Sequence, residues 1–163
     1  MWLGRSSRRG QRYLATILLL MLIFPSLAVG LDLWAHPGAS LMLLIGKWFT
    51  FFAVGLRLFA AGIRQNLQPA FTATAIFKIE DPKAFGLVRE IGFGNLAMGA
   101  AGLLSLAFPG WLSAAAFTGG LYYGLAAVGH VLKPDRGAKE QIALVSDVLI
   151  FVLLLVFAVM YRS

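Results

Sequence analysis

Five long apolar runs with few charges punctuate the chain: Leu14 to Leu33, Leu41 to Ala61, Ile91 to Phe108, Leu112 to Leu132, and Ile142 to Met160. Each is close to the ~20 residues an α-helix needs to cross a bilayer. The pattern predicts an all-α polytopic bundle of about five spans, forming one membrane domain over 1–163. The prolines agree with these limits. Pro37, Pro69, Pro82, Pro109 and Pro134 fall between runs, as turns or helix starts, and only Pro25 lies inside one, where the lost N–H should kink the first helix. Asp81-Pro82 reads as an N-cap followed by proline at the first helical position, so the third helix should begin near Pro82.

Composition sharpens this picture. Of the 163 residues 60% are hydrophobic and 13% charged, against roughly 25% charged in soluble domains, so lipid must solvate most of the surface. Such a balance excludes a soluble enzyme and a disordered chain, and the lack of cysteine excludes a disulfide scaffold.

Charge then orients the bundle. Arg5, Arg8, Arg9 and Arg12 precede the first run and resemble the start of a signal peptide, with Ala28-Val29-Gly30 as a weak cleavage site. The apolar run continues to Leu33, which favours a retained span and a cytoplasmic N-terminus. With alternating spans, Arg64, Lys78, Lys83, Arg89, Lys133, Arg136 and Lys139 also fall on the cytoplasmic side, leaving Arg162 outside with the C-terminus. The net charge of +7 is therefore topological, and speaks against a nucleic-acid surface. Phe71, Ile76, Phe77 and Ile79, interleaved with Thr72, Thr74 and Lys78, suit either a short interfacial helix or an ordinary loop.

Helices in lipid associate through small residues and a few polar contacts. Gly92, Asn95, Gly99 and Gly102 share a face of the third helix, and Ser113, Ala116, Gly120, Gly124 and Ala127 share a face of the fourth. With only Pro109-Gly110-Trp111 between them, these two should form an antiparallel hairpin packed stripe to stripe.

Ionisable groups inside spans are costly and need a partner, water or a function. Arg57 and Arg64 on the second helix, Glu90 and Asn95 on the third, Tyr123 and His130 on the fourth, and Glu140 and Asp147 on the fifth all fall in the cytoplasmic third. Two readings compete for them. One is a set of interhelical ties, such as Arg57 with Glu90 or Asp147, that pin the bundle. The other is a cytoplasmic pocket that holds a lipid or quinone headgroup or relays protons through Asp147, Glu90 and His130. At the outer end Asp32 and Lys47 should pair, or Lys47 snorkel, while Trp34, Trp48 and Trp111 suit an aromatic belt. With two histidines and no cysteine, no resident metal, haem or other cofactor is expected beyond that lipid or quinone. The expected partners are the bilayer and other membrane proteins, including further copies of the chain.

The stretches Arg57 to Gln65 running into Leu67 to Thr72, Val88 to Leu96, Gly119 to Ala126 with His130, and Ser146-Asp147 resemble an uncharacterised bacterial family of small multi-pass inner-membrane proteins classed as a domain of unknown function. The resemblance covers about residues 45 to 158. It implies a bacterial inner-membrane location and recurring Arg57, Arg64, Glu90, Asn95, Tyr123, His130 and Asp147, and it names no activity. A looser likeness, in helix number and a glycine-rich third helix, is to DoxX-like membrane proteins. These features lead to an integral membrane component of accessory or scaffold type, with a lipid- or quinone-binding or proton-linked carrier as the alternative.

Overall fold

The computed structural model describes residues 15–133 and 137–161, apart from the side chains of Ala138 and Lys139. The N-terminal arginines, Leu14, Pro134, Arg136 and Arg162, to which the sequence reading assigned roles, lie outside the described residues. Within them the chain is all-α. Helix α1 covers Ala15–Ala35 and α2 covers Leu41–Leu67. A short helical stretch, α3, spans 69–77. Then come α4, Ala84–Leu104, α5, Leu112–Val131, entered through a 3-10 turn at Pro109–Trp111, and α6, Ala138–Met160.

Among the described residues four helical segments are long and apolar enough to cross a membrane: Ala15–Ala35, Leu41–Leu67, Pro109–Val131 and Glu140–Met160. The third predicted span, α4, is not among them. At 21 residues it is about 31 Å long, but Arg89, Glu90 and Asn95 dilute its apolar character.

Local chemistry accounts for the helix limits. The Asp81 side chain accepts from the Lys83 N–H at 2.9 Å and its carbonyl from the Ala84 N–H at 3.0 Å, so Asp81-Pro82 forms a turn leading into α4; the helix begins two residues later than the sequence suggests, with Lys83 rather than Asp81 at the N-cap position. Ser40 caps α2 through the Leu43 N–H. Glu140 reaches back to the Gly137 N–H at 2.8 Å, the acidic half of a capping box at the start of α6. Pro25 does not interrupt α1. Just ahead of it the backbone widens to a π turn over Leu19–Ile23, with the Phe24 N–H bonding the Leu19 carbonyl, and the helix continues to Ala35. Helix α2 contains a longer π segment, Thr50–Leu58, and runs to Leu67 rather than Ala61, carrying Arg64 within it.

Segment 69–77 is helical, and Lys78 ends it in the left-handed conformation (φ 60°). Its buried Ala73 packs on Ala84 and Val88 of α4, while Ile76, Phe77 and Ile79 face outward. That division suits a helix lying flat on an apolar surface.

The main core lies among α1, α2, α5 and α6, around Met21, Val54, Leu58, Tyr123, Ile150 and Leu154. Helix α4 attaches from outside, chiefly on α2 and only lightly on α5. The predicted stripe-to-stripe hairpin between the third and fourth spans is thus corrected. The α4 stripe grips α2: a Cβ on Gly99 would sit 2.5 Å from the Phe59 nitrogen, and one on Gly102 would sit 2.6 Å from the Gly55 nitrogen. The α5 stripe faces α6, with Gly120 against Leu154 and Gly124 against Phe151. Both stripes pack helices, but not each other. Small residues permit close approach without choosing the partner.

Candidate functional site

Tyr123 is the centre of the polar cluster shared by α2, α5 and α6. The residue is 1% exposed, held on the α5 face that meets α2. Its hydroxyl donates to the Ala53 carbonyl at 2.5 Å and accepts from Arg57 Nη1 at 3.1 Å. The guanidinium also lies 5.4 Å from the centre of the phenol ring. Both partners come from the π segment of α2, where Ala53 and Arg57 are four residues apart on one face. A carbonyl oxygen has two lone pairs, so Ala53 can take the phenol in addition to its helical bond.

About two turns further along α5, His130 meets Asp147 of α6, Nε2 to Oδ2 3.7 Å. The Asp147 side chain is 5% exposed and the imidazole 24%. Asp147 Oδ1 is buried and has no hydrogen-bond partner among the described residues. Arg57 acts electrostatically on both Asp147 and His130. These four side chains therefore link α2, α5 and α6 over about two turns of helix.

The other predicted members stand apart. Asn95, buried on the α2-facing side of α4, donates to Gln65 Oε1 at 2.7 Å, a second tie that holds only α2 and α4. Arg64 stacks its guanidinium 3.9 Å from the centre of the Phe71 ring, fastening α3 to the end of α2. Glu140 caps α6 and lies 4.0 Å from Lys133 across the α5–α6 connection. Glu90 is exposed on the outer side of α4 and makes no ion pair among the described residues. Seven-residue spacing had put Arg57 with Arg64 and Glu140 with Asp147. About 10 Å of rise separates such residues along a helix, enough to give them different neighbours.

Sequence reasoning did not single out Gln65 or the Ala53 carbonyl. Gln65 is four residues from Ala61 and shares the face of Leu58, a spacing that could have placed it inward. A backbone carbonyl leaves no trace in side-chain pattern.

At the opposite end Asp32 accepts from Lys47 Nζ at 2.7 Å, Trp48 Nε1 at 2.9 Å and His36 Nδ1 at 2.9 Å. The predicted Asp32–Lys47 pair forms, and it recruits two further donors. Trp34 and Trp111 are well exposed, as residues of a boundary belt are.

Two surface grooves are almost wholly apolar. One of about 290 Å³ lies between α2 and α6, along Met42, Ile45 and Val156. The other, about 430 Å³, lies between α1 and α6, along Leu22, Val145 and Leu149 with Ser146 and Gln141. Neither is lined by Arg57, Tyr123, His130 or Asp147. Among the described residues no three His, Cys, Asp or Glu side chains gather closely enough to hold a metal ion. The cluster can bind helices to one another, and its imidazole, 3.7 Å from the carboxylate, forms an ion pair with it when protonated. No protein-family model, curated protein or solved structure matches the chain.

Proposed function

We propose that this protein is a non-enzymatic accessory or scaffold component of a bacterial inner membrane, and that its polar cluster is structural. In this reading α4 is the fifth span, the N-terminus is cytoplasmic and the C-terminus outside. The resemblance to the uncharacterised inner-membrane family belongs to the same proposal. One observation carries it: the Tyr123 hydroxyl is fully engaged, with its donor on the Ala53 carbonyl and its acceptor on Arg57, inside a packed core. A phenol tied at both ends locks helix register and has nothing left to offer a ligand. The apolar lining of both grooves supports the same view, since a headgroup needs convergent polar groups.

A specific observation favours the second reading, a lipid- or quinone-binding or proton-linked protein: Asp147 Oδ1 is buried without a hydrogen-bond partner. One experiment separates the two. The protein is purified in mild detergent, extracted with organic solvent, and compared with Asp147→Asn. The structural role predicts a lower melting temperature for the variant and no stoichiometric quinone or lipid in either extract. A stoichiometric quinone or lipid that disappears in Asp147→Asn overturns it. The topology is read by a C-terminal reporter fusion, which should report the outside.

A further inference from the structure

The polar cluster contains one ionisable group whose bonding is incomplete. Asp147 has a side chain 5% exposed, and its Oδ1 is buried with no hydrogen-bond partner among the described residues. Its other oxygen lies 3.7 Å from His130 Nε2, close enough for an ion pair and too far for a hydrogen bond. A buried carboxylate is ordinarily both paired and hydrogen-bonded, because an apolar interior does not solvate its charge. The charged and titratable groups around it can be named helix by helix. Helix α2 contributes Arg57, which acts on Asp147 electrostatically while its Nη1 donates to Tyr123. Helix α5 contributes Tyr123 and His130, with Lys133 three residues further on, and α6 itself contributes Glu140, 4.0 Å from Lys133. The charged residue of α1 is Asp32, which Lys47 holds beside the α1–α2 connection, away from this site. A ligand of any size needs a cavity, and the two apolar grooves run along other residues. A proton needs none.

We infer that Asp147 and His130 together form a proton-binding site, which takes up one exchangeable proton between Oδ2 and Nε2. Solvent reaches the pair at the imidazole, which is 24% exposed. The proton comes from water and returns to water, and the only bond made or broken is N–H or O–H. Once bound, it supplies the hydrogen bond that the 3.7 Å contact lacks, either as an imidazolium donating to the carboxylate or as a carboxylic acid donating to the imidazole. Its release leaves Asp147 to the charge of Arg57 alone. The tie between α5 and α6 therefore follows pH. The inference goes beyond the scaffold proposal by giving the structural tie a ligand of its own, and it rests on that proposal in one respect, that no headgroup occupies the cluster.

The chain has two histidines, so ring-nitrogen NMR of the purified full-length protein gives two titration curves, and His36 serves as the internal control. Infrared difference spectra over the same pH range follow the carboxyl of Asp147. The expected result is uptake of a proton by the pair, seen on the His130 ring or as a carboxylic-acid C=O band that Asp147→Asn removes. Groups that share a proton titrate as a pair, so the midpoint should move by about one pH unit or more when the partner is replaced. Asp147→Asn tests the ring signal and His130→Gln the carboxyl band, while the His36 curve stays in place. If Asp147→Asn does not fold, Asp147→Glu, which keeps the charge and changes the distance, takes its place with the same expectation. Neither signal titrating between about pH 4 and 9, or a midpoint unmoved by loss of the partner, overturns the inference. The organic extract of the same preparation separates the two levels. An empty extract without titration refutes the proton site alone, whereas a stoichiometric quinone or lipid that vanishes in Asp147→Asn refutes the scaffold reading as well.

Discussion

Replacing Gly99 by alanine tests the grip of α4 on α2 directly. The added Cβ would lie 2.5 Å from the Phe59 nitrogen and 2.7 Å from its Cα and Cβ, where carbon contacts settle at about 3.5–4.0 Å. Two of those three atoms are backbone, so the helices must part by about 1 Å. Overpacking of this kind costs about 1–3 kcal/mol, and the better helix propensity of alanine returns about 0.5–1 kcal/mol. The net expectation is a loss centred on about 1 kcal/mol and reaching about 2.5 kcal/mol. Gly30→Ala is the matched control, because nothing lies within 4 Å of its Cβ, and it should be neutral or stabilising by up to about 1 kcal/mol. Gly119→Ala supplies a contrast, for its Cβ would meet only the Val54 side chain. Adding Val54→Ala should recover part of that loss, a coupling of about 0.5–3 kcal/mol. Trimming Phe59 should not rescue Gly99→Ala to the same degree, since the backbone remains. Unfolding in mixed micelles, followed by helicity, reads all of these. The reasoning fails if Gly99→Ala is as stable as the parent, or if Gly30→Ala loses as much.

Tyr123→Phe removes one donor to Ala53 and one acceptor of Arg57, and should cost about 1–3 kcal/mol, given about 0.6 and at most about 1.7 kcal/mol per hydrogen bond inside membranes and more for charged partners; the same micelle titration checks it, and a loss fully reproduced in an Arg57→Met background shows that Tyr123 acts independently of Arg57. Asp32→Ala strands the Lys47 ammonium and the Trp48 N–H where the end of α1 meets the start of α2. It should lower the melting temperature and shift the Trp48 emission, while Lys47→Met with Asp32→Ala should be less damaging than Asp32→Ala alone, because no charge is left without its partner.

Much of the architecture was legible because lipid imposes simple rules. A helix must satisfy its own backbone in hydrocarbon, so a run of apolar residues of the right length declares itself. The starts at Leu41 and Leu112, the Asp81-Pro82 turn ahead of α4 and the Asp32–Lys47 pair follow from local chemistry that needs no fold. Helix α4 was harder. Its length equals a span, but its polar residues serve α2 through Asn95 and leave Glu90 bare, and no hydropathy pattern distinguishes those uses. For the polar cluster, the polar positions within the apolar runs were readable and their neighbourhood was not: the eight side chains divide into the Arg57–Tyr123–His130–Asp147 group, the Asn95–Gln65 tie, the Arg64–Phe71 stack, the Glu140 cap and an exposed Glu90.

Two things were decided by tertiary structure alone. One is which glycine stripe meets which helix, because small residues make close approach cheap for any neighbour and the choice depends on how all the helices fill space together. The other is the engagement of Tyr123 by a backbone carbonyl within a π segment, an acceptor present at every residue and selected only by where α5 crosses α2. Solvent preference is written residue by residue, and so the apolar runs and the spacing of charges already specify an all-α chain built for lipid. Contact is a property of pairs, and pairs exist only once the helices have packed.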